Sequence, residues 1–492
     1  MAACSPMKCI DARGMVDLVR VRFLIISLVV LFVGSSRAEL RFGAATVSIT
    51  PAEPVALSGQ RRVRISKQPE TPIQVSALAL ESRDGDKVLD QAVIVSCDLV
   101  AIREGILDKV RAKVKPQVPD LDVNKVFMGA THTHTAPVMV EGRYALPKTG
   151  VIQVAAYVDF MTTRMADAVV ASWRGRQAGT FGFGQGQAVI AQNRRAVYSD
   201  GTSVMYGKTN VEKFRGLEGT EDHNLEVLFF WNEQNDLIAT AINVACPAQE
   251  VEGRSALNAD LWHPVRETLR ELHGEDLHIL GLTGAGGDQV PRPMYGKSAD
   301  ARMRKLRGLT RLQEMSRRIV NGWTEAYEVA IKDKRKDGLL RHHVETIKLP
   351  YRKVTETEHK TALDNANKYK PIPSQRWNYL WHQSVVTRHL IQQTEGIGTK
   401  DMELHVIRLG DVAIASNEFE LFTDYGIQMK ARSPAVQTFI IQLTGSAGYL
   451  PTVRAVGGGG YSAVIQSSRI GPLGGQKLVE DTVAAINSLW GE

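Results

Sequence analysis

The segment GATHTHTAP, residues 129–137, follows the apolar run KVFM and places two histidines one residue apart ahead of a proline. In an extended chain alternate residues point to the same side, so His132 and His134 are expected to project together from the end of a strand into a loop. Two imidazoles on one side can share a metal ion, or divide the work with one as ligand and the other as acid or base. A hydrogen-bonded structural pair has the same spacing, and H-x-H by itself leaves these readings open.

Other local signals narrow the chemistry. A metallo-β-lactamase-type site requires Asp and His directly after the pair, where this chain has Thr135, Ala136 and Pro137. An amidohydrolase barrel carries the pair on its first strand, whereas at least two strand-like runs precede it here. The glycine-rich stretch GLTGAGGDQ lacks both the Lys-Ser/Thr of a phosphate loop and the G-x-G-x-x-G register, so nucleotide binding is not expected.

Around these residues, short β-rich runs such as VSALALES, QAVIVSCDLV, LEVLFFW, IATAINVAC and VAIAS alternate with segments of helical period. Leu312, Met315, Ile319, Trp323 and Tyr327 recur at helical spacing, as do Val265, Leu269 and Leu272 before Gly274. No internal repeat and no long Ser/Gly linker divides the chain. The expectation is an α/β protein with mixed β-sheets flanked by α-helices, one large domain from residue 39 to the end, with residues 297–400 as a helical insertion. With 43% hydrophobic and 23% charged residues in 492, the composition is that of an ordinary globular protein.

The first 38 residues read separately. Arg20 and Arg22 precede FLIISLVVLFVG, and Ser36 and Ala38 have the spacing a signal peptidase prefers, so residues 1–38 read as a cleaved secretory leader and the mature chain as secreted or periplasmic. The apolar core is short of the roughly 20 residues of a membrane span; an uncleaved anchor is the competing reading. Five basic and two acidic residues lie in the leader, leaving about +4 of the formal +7 on the mature chain, too little to imply a nucleic-acid partner. The cluster Arg302, Arg304, Lys305, Arg307 and Arg311 reads as a solvated helix face, with contact to an anionic membrane surface as the second reading. Cys97 and Cys246 alone remain after the leader, which is not a disulfide scaffold.

The motifs GAATVSITP, THTHTAP, QNRRAVYSDG, INVACPAQ, GAGGDQVP, NEFE and GYLPTVRAVGGGGYSA occur in the order found in the neutral/alkaline, non-lysosomal ceramidase family. Over nearly all of its mature length the chain resembles the N-terminal catalytic domain of that family. The resemblance implies a zinc-dependent amidohydrolase with one zinc per chain, acting on the N-acyl amide of ceramide or a related lipid or small molecule. By the same resemblance His132, Glu418 and Tyr449 are zinc ligands, His134 contacts the substrate at the reacting centre, Arg194 binds the polar head, and Tyr461 is a substrate or oxyanion donor. The stretch VRAVGGGG between the two tyrosines is expected to be a flexible loop folded over the ligand.

The chain departs from the family at two positions. The residue matching the family's second zinc histidine is Cys246, a thiolate being itself a zinc ligand, with His263 as competitor for that role. Val290 stands in place of a family serine sometimes proposed as nucleophile, which leaves a zinc-activated water as the route. No C-terminal immunoglobulin-like domain is expected within the 492 residues. A hydrolase of the same fold acting on another amide or an ester, and a non-catalytic ligand-binding relative, are the alternatives.

Overall fold

Along the strand Gln74–Asp84, Val75, Ala77 and Ala79 enter one buried cluster while Leu78 and Leu80 enter another. The adjacent strand Lys87–Cys97 divides in the same way, with Val93 and Val95 on one side and Ala92 and Ile94 on the other. Strands apolar on both faces must be covered on both, and the whole molecule is built to that plan. The computed structural model describes residues 38–336 and 339–491, so nearly all of the expected leader lies outside the described residues.

An eight-stranded mixed sheet runs in the order His278–Thr283, Leu237–Val244, Asn224–Asn232, Gln177–Gln187, Glu39–Ser48, Gln74–Asp84, Lys87–Cys97, Val126–Ala130. Its pairs are antiparallel except the outermost at each end, which are parallel. A four-stranded sheet, Leu340–Pro350, Thr399–Leu409, Val412–Ser416 and Gln437–Ile441, packs against it, with Phe42, Leu78 and Phe230 meeting Ile407, Ile414 and Phe439 in one core. Helices Ile106–Val114 and Val154–Arg174 cover one half of the large sheet's outer face, and Trp262–His273 and Arg311–Ala330 cover the other. Thr423–Arg432 and Pro472–Trp490 cover the outer face of the small sheet. The result is four layers, helix, sheet, sheet, helix, as the α/β expectation requires.

The expected helical insertion at 297–400 is smaller than the sequence suggests. Arg311–Ala330 is a core helix, with Met315, Ile319 and Trp323 buried against the large sheet. It lies so close to Gln177–Gln187 that a Cβ at Gly186 would stand 1.9 Å from the Gly322 carbonyl oxygen, so the alternating glycines of that strand let the helix dock. Leu340–Pro350 is a strand of the second sheet. What remains is a helical hairpin, Glu356–Tyr369 and Arg376–Glu395, whose first helix starts in a capping box between Thr355 and Glu358. In the basic cluster, Arg304 and Arg311 pair with Asp300 at 2.9 and 2.8 Å, and Arg307 pairs with Glu314 at 3.1 Å. Among the described residues no helix is long and apolar enough to cross a membrane.

The two sheets meet at the C-terminal ends of their parallel strands. The Gln442 amide donates to the Thr283 carbonyl at 2.9 Å, the Thr283 hydroxyl to the Ala130 carbonyl at 3.0 Å, and the Ala130 amide to the Leu443 carbonyl at 3.3 Å. The loops leaving Ala130, Val244, Thr283, Ser416 and Ile441 therefore open at one place, the position at which α/β sheets present ligand sites.

Candidate active site

The alternation of THTHT sorts its side chains. The three threonines turn into the protein: Thr131 donates to Asp98 at 3.3 Å, and Thr133 and Thr135 both donate to the Asn258 carbonyl, at 2.7 and 2.8 Å. Asp98 is held in turn by both guanidinium nitrogens of buried Arg266, at 2.7 and 3.0 Å. The histidines face the other way, toward the cavity, with ring centroids 4.7 Å apart and Nε2 atoms 3.3 Å apart. His132 adopts φ 68°, a left-handed conformation that costs a non-glycine residue on the order of 1 kcal/mol and that the surrounding threonine bonds maintain. Its Nδ1 lies 2.5 Å from the Val100 carbonyl oxygen, so that nitrogen carries the proton and Nε2 keeps its lone pair.

That lone pair faces Glu420, whose Oε2 is 3.3 Å away. Glu418, the expected ligand, points elsewhere and pairs with Lys400 Nζ at 2.8 Å. The reason is the turn after Val412–Ser416: the Asn417 amide bonds the Ile441 carbonyl and its side-chain oxygen accepts from the Phe419 amide at 3.1 Å, so the chain re-extends only at Glu420. Glu420–Leu421 then forms a parallel ladder with Tyr449–Leu450, and Glu420 is the register partner of Tyr449. Burial would raise the Glu420 carboxyl, but the Arg194 charge and the Tyr449 hydroxyl draw it below the ordinary carboxylate range. Burial and the Glu420 charge push the Tyr449 hydroxyl well above its ordinary value. Arg194 donates to the Tyr449 hydroxyl at 3.1 Å and to the Gly287 carbonyl at 2.7 Å, so it fixes the tyrosine from behind.

His134 has two partners with no local signature in the sequence. Its Nδ1 lies 3.4 Å from Glu252 Oε2, and its Nε2 lies 2.7 Å from the side-chain nitrogen of Gln249. Gln249 donating to Nε2 places the His134 proton on Nδ1, facing the carboxylate. Burial pushes His134 down to about 4, and Glu252, despite its own burial, is held at about 2 by His134 and Arg292. The pair is thus a neutral imidazole backed by an ionised carboxylate.

Cys246 does not join this group. It lies in the apolar cluster with Val244, Ala248, Leu261 and Trp262, its Sγ 3.6 Å from the Pro247 carbonyl oxygen, and burial pushes its thiol up. Gln249, three residues on, is the residue of that loop which reaches the histidines. His263 sits half-buried at the start of Trp262–His273, with Glu267 and Arg266 acting on it. Val290 is packed with Ala196, Tyr198 and Met294.

Tyr461 meets Tyr449 edge-on at 5.7 Å and Trp381 of the helical hairpin at 5.9 Å. The glycine stretch before it is no open flap. Val453–Gly458 is a short helix capped by Thr452, and Arg195, paired to Glu218 at 2.6 Å, donates to the carbonyls of Ala455 and Gly459. Gly459 and Gly460 take φ 69° and 80°, and a Cβ at Gly460 would stand 2.4 Å from the Ser203 carbonyl oxygen, so the glycines serve close approach. His134, Tyr449 and Tyr461 line two adjoining cavities of about 610 and 620 Å³.

The donor set suits a metal. His132 Nε2, the Glu420 carboxylate and the Tyr449 hydroxyl supply nitrogen and oxygen ligands of the kinds zinc takes, and the unprotonated His132 Nε2 lies 3.3 Å from the Glu420 carboxylate, two acceptors whose repulsion a cation would relieve. Glu356, His359 and His389 of the helical hairpin form a second group with ligand atoms within 4.8 Å of one another. There the two imidazoles stack at 4.0 Å with planes 14° apart, and His389 Nε2 lies 3.4 Å from Glu356.

No family model matches the chain, and no curated protein does. Solved ceramidase structures share its architecture. The neutral ceramidase from Pseudomonas aeruginosa aligns with a TM-score of 0.65 over 91% of this chain and 74% of its own, at 15% identity. A ceramidase complexed with C2 aligns at 0.66 over 92% and 76%, again at 15% identity. The four-layer arrangement of this chain is the neutral ceramidase fold.

Proposed function

We propose that this chain is a zinc-dependent amidohydrolase that cleaves an N-acyl amide, as its ceramidase-fold neighbours suggest, and that the leader exports it. The observation carrying this reading is the convergence of His132, Glu420 and Tyr449 beside His134 and Tyr461 where the two cavities join. A binding module has no need of a neutral histidine backed by an ionised carboxylate at that place.

When bound by His132, Glu420 and Tyr449, zinc would supply Lewis acidity, the chemistry that polarises an amide carbonyl and makes water nucleophilic near neutral pH. His134 accepts the proton of the attacking water at Nε2, once a substrate has displaced the Gln249 amide, and passes it to the leaving amine. Glu252 holds His134 Nδ1 and stabilises the imidazolium formed on the way, the part an aspartate plays in serine hydrolases. The Tyr461 hydroxyl donates to the developing oxyanion. Arg194 keeps Tyr449 aimed at the centre and, as a lining residue of the second cavity, stands where the head-group contact expected from sequence would be made.

Zinc content and turnover of N-acyl amides, measured together, test the proposal. His134→Ala should keep about one zinc per chain and lower kcat by roughly 10²–10⁴. A His134→Ala protein that loses its zinc, or a zinc-loaded wild type inert toward N-acyl amides, overturns it.

A further inference from the structure

Among apolar side chains such as Trp377, Leu380 and Trp381, the 610 Å³ cavity beside His132 carries five arginines, Arg61, Arg103, Arg143, Arg376 and Arg469, against the two carboxylates Glu141 and Glu420. Glu420 is already committed to His132. Arg376 is held by the Gly142 carbonyl at 2.8 Å, and Arg61 lies over the Trp377 ring at 4.5 Å. Arg103 and Arg143 differ from both. Neither guanidinium makes a hydrogen bond or ion pair with any described residue, and Arg143 Nε is buried with no partner at all.

Arg266 and Arg195, by contrast, each meet a carboxylate through two nitrogens, Asp98 and Glu218 respectively. Two like charges brought together at a cavity wall with no carboxylate bonded to either oppose folding, and burial with the Arg143 charge brings Arg103 down to about 10 although Glu420 acts against the fall. A guanidinium fork is shaped to take a carboxylate or phosphate through paired N–H donors, so an oxyanion bound there removes the penalty.

We propose that Arg103 and Arg143 form the recognition site for an anionic group, carboxylate or phosphate, on the acyl side of the substrate. The inference rests on the hydrolase reading for the word substrate, although the anion site itself stands on the arginines alone. Residues 100–103 link it to the reacting centre, since Val100 bonds His132 and the Glu420 charge acts on Arg103.

The test uses the zinc-loaded full chain with a matched pair: the 4-nitroanilide of succinic acid, which keeps a free carboxylate, and its neutral terminal carboxamide. The anionic member should have a kcat/KM at least about tenfold higher, one good charge-assisted contact being worth that much. Arg103→Gln and Arg143→Gln should each bring the ratio toward one, and Arg143→Lys, which keeps charge without the fork, should fall between. In parallel, succinate, succinamide and inorganic phosphate are titrated by thermal shift, with zinc content reporting that each variant is folded. Stabilisation by succinate or phosphate, lost in Arg143→Gln, supports the site, and whichever of the two acts at lower concentration identifies the substituent. If the anion stabilises the protein but neither anilide is cleaved, the site stands and the hydrolase reading falls. If both anilides are cleaved equally, the hydrolase reading stands and the anion site is wrong. If no anion shifts the melting temperature and neither anilide is cleaved, the anion site is likewise wrong.

Discussion

Glu420 and Tyr449 face each other across a parallel ladder only two residues long, and that register alone sets the carboxylate beside the tyrosine hydroxyl. The ladder is anchored at both ends, by the Glu420 amide on the Gly448 carbonyl at 2.9 Å and the Phe422 amide on the Leu450 carbonyl at 3.3 Å. Side chains alternate along such a strand, so Glu420 shares its parity with Glu418 while the turn at Asn417 separates their directions.

The two glutamates are accordingly expected to behave oppositely. Glu420→Gln removes the anionic donor and should weaken zinc binding by at least about a hundredfold, more than supporting residues typically contribute. Glu418→Gln removes only a partly exposed pair with Lys400 and should leave zinc binding as it is. Competition with a zinc chelator measures both, and equal losses would place the two carboxylates in one site against the geometry.

This pair also shows how far the sequence is legible. The α/β class, the shared side of His132 and His134, and the tyrosine pair follow from period-two alternation and motif order, which are local. The choice between Glu418 and Glu420 depends on an Asn417 turn and on pairing with a strand 29 positions further along, as the register Glu420 to Tyr449 records. No local pattern reports that. Gln249 and Glu252 were likewise invisible, because the loop INVACPAQEV offers Cys246 as its obvious ligand and only the fold turns that thiol inward. The helical insertion is smaller than its period suggests because Arg311–Ala330, amphipathic by sequence, gives no sign of which sheet covers its apolar face.

Cys246→Ala gives the next test. With its Sγ packed among Leu261, Trp262 and Val244, removing the sulfur leaves a small void and should cost about 1 kcal/mol of stability. Zinc content should not change. Denaturant unfolding beside metal analysis separates the two effects, and a Cys246→Ala protein with normal stability and depleted zinc would return the thiol to the metal site.

Tyr461 depends on a buried ion pair that touches neither metal nor cavity. Arg195 and Glu218 join through two bonds, at 2.6 and 3.1 Å, and Arg195 also donates to Ser462 at 3.2 Å. Glu218→Gln leaves a buried guanidinium without its counter-charge and should cost about 2–4 kcal/mol. Because the short helix before Tyr461 loses its anchor, kcat should fall while zinc remains bound. Retained turnover in the folded variant would show that Tyr461 is placed without this pair.

The acid limit of stability should be set partly by His342, far from the cavity. Its Nδ1 lies 3.0 Å from the Gln91 carbonyl oxygen and its Nε2 3.0 Å from His405 Nδ1, while His405 Nε2 lies 2.7 Å from Glu403, itself paired with Arg111 at 2.6 Å. Lys125 donates to the His342 carbonyl and lies 3.0 Å from Asp90, whose other oxygen accepts from the His342 amide at 2.7 Å. Burial, with the charges of His405 and Lys125, holds His342 well below the ordinary histidine value. The folded protein therefore refuses a proton that the unfolded chain accepts near about pH 6.5. Above that pH both states are neutral and the group contributes nothing; as pH falls below it, the unfolded state binds more protons and stability is lost. Glu403, held at about 2, works in a lower window, from the ordinary carboxylate range downward, and does not interfere. Between about pH 7 and about pH 5 the wild type should thus lose roughly 2 kcal/mol more than His342→Gln, whose amide still bonds Gln91 but does not titrate. Urea unfolding at the two pH values measures the difference, and equal losses in both proteins would mean that His342 takes up its proton inside the fold.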